Sequence, residues 1–153
     1  MAGGFSINID NIDVFKEFLI KKYNSLVIEK DNCKNFYLDS IILPTALNTK
    51  FYDNIDLLSP FGTGNPEPKF LIENLRLANS NVVANRHIKA IFYSKSNDVV
   101  KSIAFNSIGT VLESYLVKNN KCSMNIVGSL TSNNYNGKNN IEFVINDISV
   151  NNI

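Results

Sequence analysis

The sequence predicts a mainly β fold with minor α, and three observations lead there. In the second half of the chain, apolar and polar residues alternate in short runs at 70–77, 87–95, 100–106, 121–130 and 140–148, the period of half-buried strands. Between the third and fourth runs, Ile108 to Lys118 places Val111, Leu112, Tyr115 and Leu116 at the spacing of an amphipathic helix. The last two runs are joined by Thr131 to Asn139, a polar stretch whose Asn136-Gly137 pair is a strong hairpin signal. Five strands with one helix between the third and fourth is the element order of an OB-like Greek-key barrel, a small fold that often binds single strands. The expected architecture is that five-stranded barrel, preceded by a short N-terminal strand-helix segment.

Phe5, Ile7 and Ile9 alternate with polar residues and predict a short strand over 5–9. Asp10 or Asn11 then caps a helix whose apolar stripe is Ile12, Phe15, Leu19 and Tyr23, flanked by Phe18 and Leu26. Lys16, Lys21 and Lys22 lie on or near its wet side. The polar stretch 29–35 marks a boundary. A strand follows over 36–43 and stops at Pro44. Phe51 to Leu58 reads as a short helix, with Phe51, Ile55 and Leu58 on one face.

That helix runs into Pro60-Phe61-Gly62-Thr63-Gly64-Asn65-Pro66-Glu67-Pro68. Three Pro fix φ and remove donors, two Gly permit positive φ, and Asn65 tolerates left-handed turns. The segment is expected to be rigid and sharply turned. Phe61 packs into the base of the barrel while Pro60, Pro66 and Pro68 brace the junction before it.

A chain of 153 residues with 44% hydrophobic and 19% charged residues can bury a sizeable core. Its formal net charge of +1 is low for a strong electrostatic binder of nucleic acid. Any such binding must come from a local patch or borrow charge from a partner. Cys33 and Cys122 have no metal-type spacing and read as reduced, packed thiols. No apolar run approaches membrane-spanning length, and the N-terminus lacks the features of a secretory signal, so a cytoplasmic protein with no membrane partner is expected.

The Pro/Gly run closely resembles the PFGxGNPEP segment of the RecJ family of single-strand-specific DNA exonucleases. Arg86-His87-Ile88-Lys89-Ala90-Ile91, Ile103-Ala104-Phe105-Asn106 and Ile126-Val127-Gly128-Ser129-Leu130 are similar to strands of that family's C-terminal domain, in the same order. Asn133-Asn134-Tyr135-Asn136-Gly137 resembles its hairpin, and the stretch from Ile141 to Ile148 resembles its closing strand, with Glu142 where the family often has Gln. Met1 to Ile7 resembles the tail of a segment in the family's DHH-associated middle domain. The resemblance implies a remnant of that middle domain over 1–30 and an OB-like nucleic-acid-binding domain over 31–153. It implies a chain that starts partway through the middle domain, as a split-gene product, a decayed gene or a shortened piece would.

Enzymes of this family use clustered Asp and His ligands for a divalent metal, including a DHH triplet. The chain has one histidine and no DHH, and no phosphate-binding Gly loop or paired-Cys zinc motif. Asp53 and Asp56, spaced i,i+3, read as a wet helical face. No catalytic residue and no metal ligand is expected on this chain, so it is expected to be inactive alone. Mn²⁺ or Mg²⁺ would belong to a catalytic core elsewhere.

Binding is what the residues leave. Alternation over 87–95 puts His87, Lys89, Ile91, Tyr93 and Lys95 on one face and Ile88, Ala90 and Phe92 on the other. Cationic and aromatic groups together can track phosphates and stack bases. Arg76, Arg86 and Lys101 extend this surface, and Tyr135 with Lys138 forms a rim. The resemblance implies a part of a 5′→3′ exonuclease that recruits single-stranded DNA in repair and recombination, with a separate RecJ-like catalytic chain as a further partner. The alternatives are a non-catalytic module that docks on protein, a relic of a split exonuclease gene, and an OB-type RNA binder.

Overall fold

The computed structural model describes residues 4, 6–28, 36–117, 122–135 and 138–150, with side chains described for these except 24–28, 134, 135, 138 and 139. The chain divides into two compact units, Met1–Phe36 and Tyr37–Ile153.

In the first unit, helix α1 spans Ile12–Ile28. A 3-10 turn at Ile9–Asn11 leads into it, in place of the expected strand over 5–9. The reason is local: the Asn8 side chain accepts a hydrogen bond from the Asp10 amide at 3.3 Å and caps the 3-10 turn. Among the described residues no second strand stands beside 6–8 to pair with it. Phe15 and Phe18 stack at 6.4 Å, but Ile12, Phe18, Leu19 and Tyr23 are all exposed.

The second unit is a closed five-stranded barrel with one additional strand. The extra strand, β1 (Ser40–Ile41), runs parallel to the start of β2 (Phe70–Val83). It is much shorter than the expected 36–43, because only Ser40 and Ile41 find Cα partners, on Phe70 and Leu71. A 3-10 turn at Pro44–Ala46 and helix α2 (Thr49–Asp56) follow. Asn48 sets the start of α2: its Oδ1 accepts from the Phe51 amide at 3.0 Å and its Nδ2 donates to the Thr45 carbonyl at 3.0 Å. The helix therefore begins before Phe51 and ends before Leu58, which is exposed; Phe51 and Ile55 alone of the expected face pack on the core.

Around the barrel the order is β2, β3 (His87–Tyr93), β4 (Val99–Ala104), β6 (Lys138–Val150) and β5 (Ser123–Tyr135), with β5 returning to β2. All neighbours are antiparallel except β4 and β6, which pair in parallel at Ser102–Phe143 and Ile103–Val144. Helix α3 (Val111–Val117) lies between β4 and β5 in sequence, as the OB element order requires. Leu116 is fully buried and Leu112 and Tyr115 pack on the core, but Val111, at the first position, is 69% exposed and leaves the expected stripe.

Three strands run past their sequence signals. β2 reaches Val83 because it serves two neighbours, β5 through Arg76 and β3 from Arg76 onward. Irregularities between Ile72 and Leu75 and between Leu77 and Asn79 bend it around the corner. Asn74 sits in the first with φ of 57°, and its amide donates to the Asn125 side chain at 2.9 Å. Strands β5 and β6 continue through the stretch expected to be a loop, as far as the Tyr135–Lys138 pair. The Asn136-Gly137 turn signal falls outside the described residues, as does Cys33.

The core is filled from the barrel's inner face by Ile72, Leu75, Ile88, Phe92, Met124 and Phe143, with Leu116 of α3 among them. Gly128 marks the tightest approach. A Cβ there would stand 1.8 Å from the Val144 carbonyl oxygen and 2.9 Å from the Phe143 ring. Val144 is held on its other side by Ile103, so this is where the parallel seam squeezes β6 between two strands.

Candidate nucleic-acid interface

Strand β3 carries the candidate surface, and its two faces divide as the alternation predicts. Ile88, Ala90 and Phe92 are buried; Lys89 and Tyr93 are exposed, with His87 and Ile91 half-buried. Cross-strand partners share a face, so the register extends this surface onto both neighbours. Tyr93 lies between Arg76 and Val99, Ile91 between Asn79 and Lys101, and Lys89 between Asn81 and Ile103. From His87 to Tyr93 the line is about 20 Å long, at the usual strand rise.

The turns at the two ends hold the remaining cations. At one end, Ala84 and Asn85 adopt positive φ in the β2–β3 turn, and exposed Arg86 follows them. The Asn106 amide donates to His87 Nδ1 at 2.9 Å, while Arg86 Nε lies 3.0 Å from His87 Nε2. A neutral imidazole accepts at one nitrogen and carries its proton on the other. The Asn106 amide and Arg86 Nε therefore compete for the one acceptor, and Arg86 itself stays exposed. At the other end, Lys95 stands exposed on the β3–β4 turn, which the Ser94 and Asp98 side chains close at 3.0 Å.

The middle of the face is a groove of about 180 Å³, lined in part by Asn79, Asn81, Lys89, Ile91 and Lys101, with the Glu142 carboxylate among them. Glu142 Oε1 lies 3.6 Å from Lys89 Nζ; the carboxyl side chain is 13% exposed and the lysine 45%. Lys101 also lines a larger cleft of about 310 Å³ that reaches Asn48 and Thr49 of α2.

The structure thus brings Arg76, Lys89, Tyr93 and Lys101 onto one face, with Arg86 and His87 at one end and Lys95 at the other. The side chains of Tyr135 and Lys138 lie outside the described residues. Sequence reasoning missed four residues here. Asn79 and Asn81 lie past the point where the bulge breaks the period of β2. Glu142 was legible, since Phe143 and Ile145 face the core and their neighbour must face out. Phe105 was read as a strand residue, yet it is 51% exposed and meets the His87 ring edge-on at 5.2 Å, which adds a second aromatic to this surface.

The Pro/Gly run forms a self-braced turn outside this face. Gly62 and Asn65 exchange backbone hydrogen bonds at 2.8 and 3.1 Å, and Gly64 takes φ of 86°. Asn65 Nδ2 donates back to the Leu58 and Pro60 carbonyls at 2.8 and 3.1 Å. Phe61 is half-buried and shares a small cavity with Ile55, Pro68, Phe70 and Leu130, at the α2 end of the barrel. Pro66 is exposed beside it. Among the described residues no group of three or more His, Cys, Asp or Glu is placed to hold a metal ion. No helix among them is long and apolar enough to cross a membrane.

A family model described as RecJ OB domain matches residues 38–147. Among curated proteins, the single-stranded-DNA-specific exonuclease RecJ of Bacillus subtilis (strain 168) is 24% identical over 152 residues, covering 98% of this chain. Crystal structures of RecJ from Thermus thermophilus in complex with Mg²⁺ and with Mn²⁺ align at TM-scores of 0.63 and 0.65, with 22% identity over 95% and 98% of this chain. At that identity the likeness to the solved structures is one of fold. The chain spans 19% of the curated relative and 21% of each crystallised chain.

Proposed function

The chain belongs to the RecJ OB domain family, and from that membership we propose that its barrel binds single-stranded DNA along the outer face of β2, β3 and β4. In this reading it is the DNA-guiding part of a RecJ-like 5′→3′ exonuclease of repair and recombination. The catalytic core and its Mn²⁺ or Mg²⁺ lie on other residues, of the same polypeptide or of a separate RecJ-like chain in the cytoplasm.

The observation that carries the reading is the chemistry of the outer face. Tyr93 and Phe105 offer exposed rings near opposite ends of a strand-long surface, and Arg76, Arg86, Lys95 and Lys101 stand exposed around it. Aromatic faces stack bases without regard to sequence, and a rim of cations follows the backbone. Half-buried Ile91 gives the centre an apolar floor.

A second reading, a module that docks on protein, draws support from the net charge of +1. Fluorescence anisotropy of the chain with a labelled single-stranded DNA oligomer separates the two. DNA binding predicts saturation that weakens with salt, with log affinity falling by about 0.7 per phosphate contact for each tenfold rise in salt. Absence of binding at low salt, by protein shown to be folded, would sink the DNA reading and leave the docking module. A matched RNA oligomer run alongside tests for an RNA binder, which can use the 2′-OH.

A further inference from the structure

We propose that Glu142 reads a base: the carboxylate in the central groove accepts a hydrogen bond from an exocyclic amino group, so the barrel prefers cytosine to thymine at this position. The proposal rests on the single-stranded-DNA reading above and adds a specificity to it.

A carboxylate on a DNA-binding face has to be explained, because it repels phosphate. Glu142 is nearly enclosed, at 13% side-chain exposure, and lies in the groove beside Asn79, Asn81 and Ile91. Exposed Lys101 lines the same groove, and exposed Arg86 and Lys95 stand at the two ends of β3. A strand that follows those cations places its phosphates outside the groove and turns its bases in. Half-buried Ile91, which lines the groove, gives such a base an apolar surface.

The carboxylate keeps capacity for that base. Its recorded partner is Lys89, 3.6 Å from Oε1, which is an ion pair and too long for a hydrogen bond. Among the described residues no buried side-chain oxygen lacks a hydrogen-bond partner, so the Glu142 oxygens open onto the groove. The pairing engages the charge of Lys89 with a protein acid, and a carboxylate offers acceptors only. Lys89 is thus the partner of a protein carboxylate rather than a phosphate contact.

An acceptor in this place discriminates by chemistry. Cytosine presents an amino donor at C4, where thymine presents an acceptor oxygen. A carboxylate pairs with the first and repels the second. The two pyrimidines differ also at N3 and in the thymine methyl group, so the amino group itself has to be blocked in a control.

Anisotropy titrations of the full chain with oligo-dC and oligo-dT of equal length, at neutral pH and one salt concentration, test this. The expected result is tighter binding of oligo-dC by about fivefold or more. Glu142→Gln should close the gap, because the amide offers a donor to the thymine oxygen. Lys89→Met should keep the preference, whereas a Glu142 that served only to hold Lys89 would make both variants behave alike. A DNA-side control needs no altered protein: oligo-dC with its amino groups dimethylated should bind the native chain no better than oligo-dT. Equal binding of dC and dT by the native chain would overturn the proposal and leave the DNA reading standing. A preference that survives Glu142→Gln or dimethylation would overturn it too. Failure of the folded chain to bind either oligomer at low salt would overturn the DNA reading, and this proposal with it.

Discussion

On β3, Ile88, Ala90 and Phe92 are buried in the core, while Lys89 and Tyr93, each one residue away, face solvent. The inner face is wholly apolar and its neighbours interlock; the outer face mixes cations, amides, an acid and rings. The two faces share one backbone and one register, so the strand cannot slip by a residue without exchanging them. The difference teaches that this surface is held in place by residues that do not belong to it. Core variants should therefore destroy both faces, and surface variants only one.

Gly128→Ala should break the comparison most completely. The added Cβ would stand 1.8 Å from the Val144 carbonyl oxygen, which β6 cannot withdraw while Val144 is paired with both β4 and β5. Overpacking usually costs about 1–3 kcal/mol where side chains can give way. Here backbone meets backbone, so a loss beyond about 3 kcal/mol is expected, read as the midpoint and slope of urea unfolding. A variant that unfolds like the native chain would show that the seam is looser than its geometry.

Adjacent residues give the next test. Phe92→Ala empties a fully buried site and should cost about 3–5 kcal/mol of stability. Tyr93→Ala, one residue on, should change stability by less than about 0.5 kcal/mol but weaken single-stranded DNA by about 1–3 kcal/mol if the ring stacks a base. Urea unfolding and anisotropy on the same two proteins check both halves. A Tyr93→Ala chain that binds normally would remove the ring from the interface.

This division was legible in the sequence because it rests on period two, which needs no tertiary information. The barrel strands were legible for the same reason, and the helix between the third and fourth by its own period of about 3.6. What the sequence hid depends on partners far along the chain. The end of β2 was lost at its bulges, where Asn74 and the Leu77–Asn79 irregularity interrupt the alternation. The hairpin stretch after Thr131 looked like a loop because its residues are polar, yet a long antiparallel partner carries them. The strand over 36–43 had the right composition but only two residues of partner. Lys89 looked like a phosphate ligand until the parallel seam brought Glu142 beside it, 53 positions away by their numbers.

That pairing makes two lysines on one face unequal, which is the finest distinction the comparison supports. Lys101 is exposed and no ion pair involving it is recorded among the described residues, while Lys89 lies 3.6 Å from a carboxylate. A cation already neutralised by a protein acid has few condensed counterions to displace from DNA. Lys101→Ala should therefore make the slope of log affinity against log salt shallower by about 0.7, the value of one single-strand phosphate contact. Lys89→Ala should leave the slope nearly unchanged. Neither should move the unfolding midpoint by more than about 0.5 kcal/mol in stability, as surface positions rarely do. Anisotropy titrations across a salt series decide the matter. Equal slopes for both variants would mean that the Lys89–Glu142 pair opens on binding and that the outer face rearranges around its ligand. A marked stability loss in Lys101→Ala would mean instead that the surface supports the fold, and that the separation of the two faces is less complete than burial suggests.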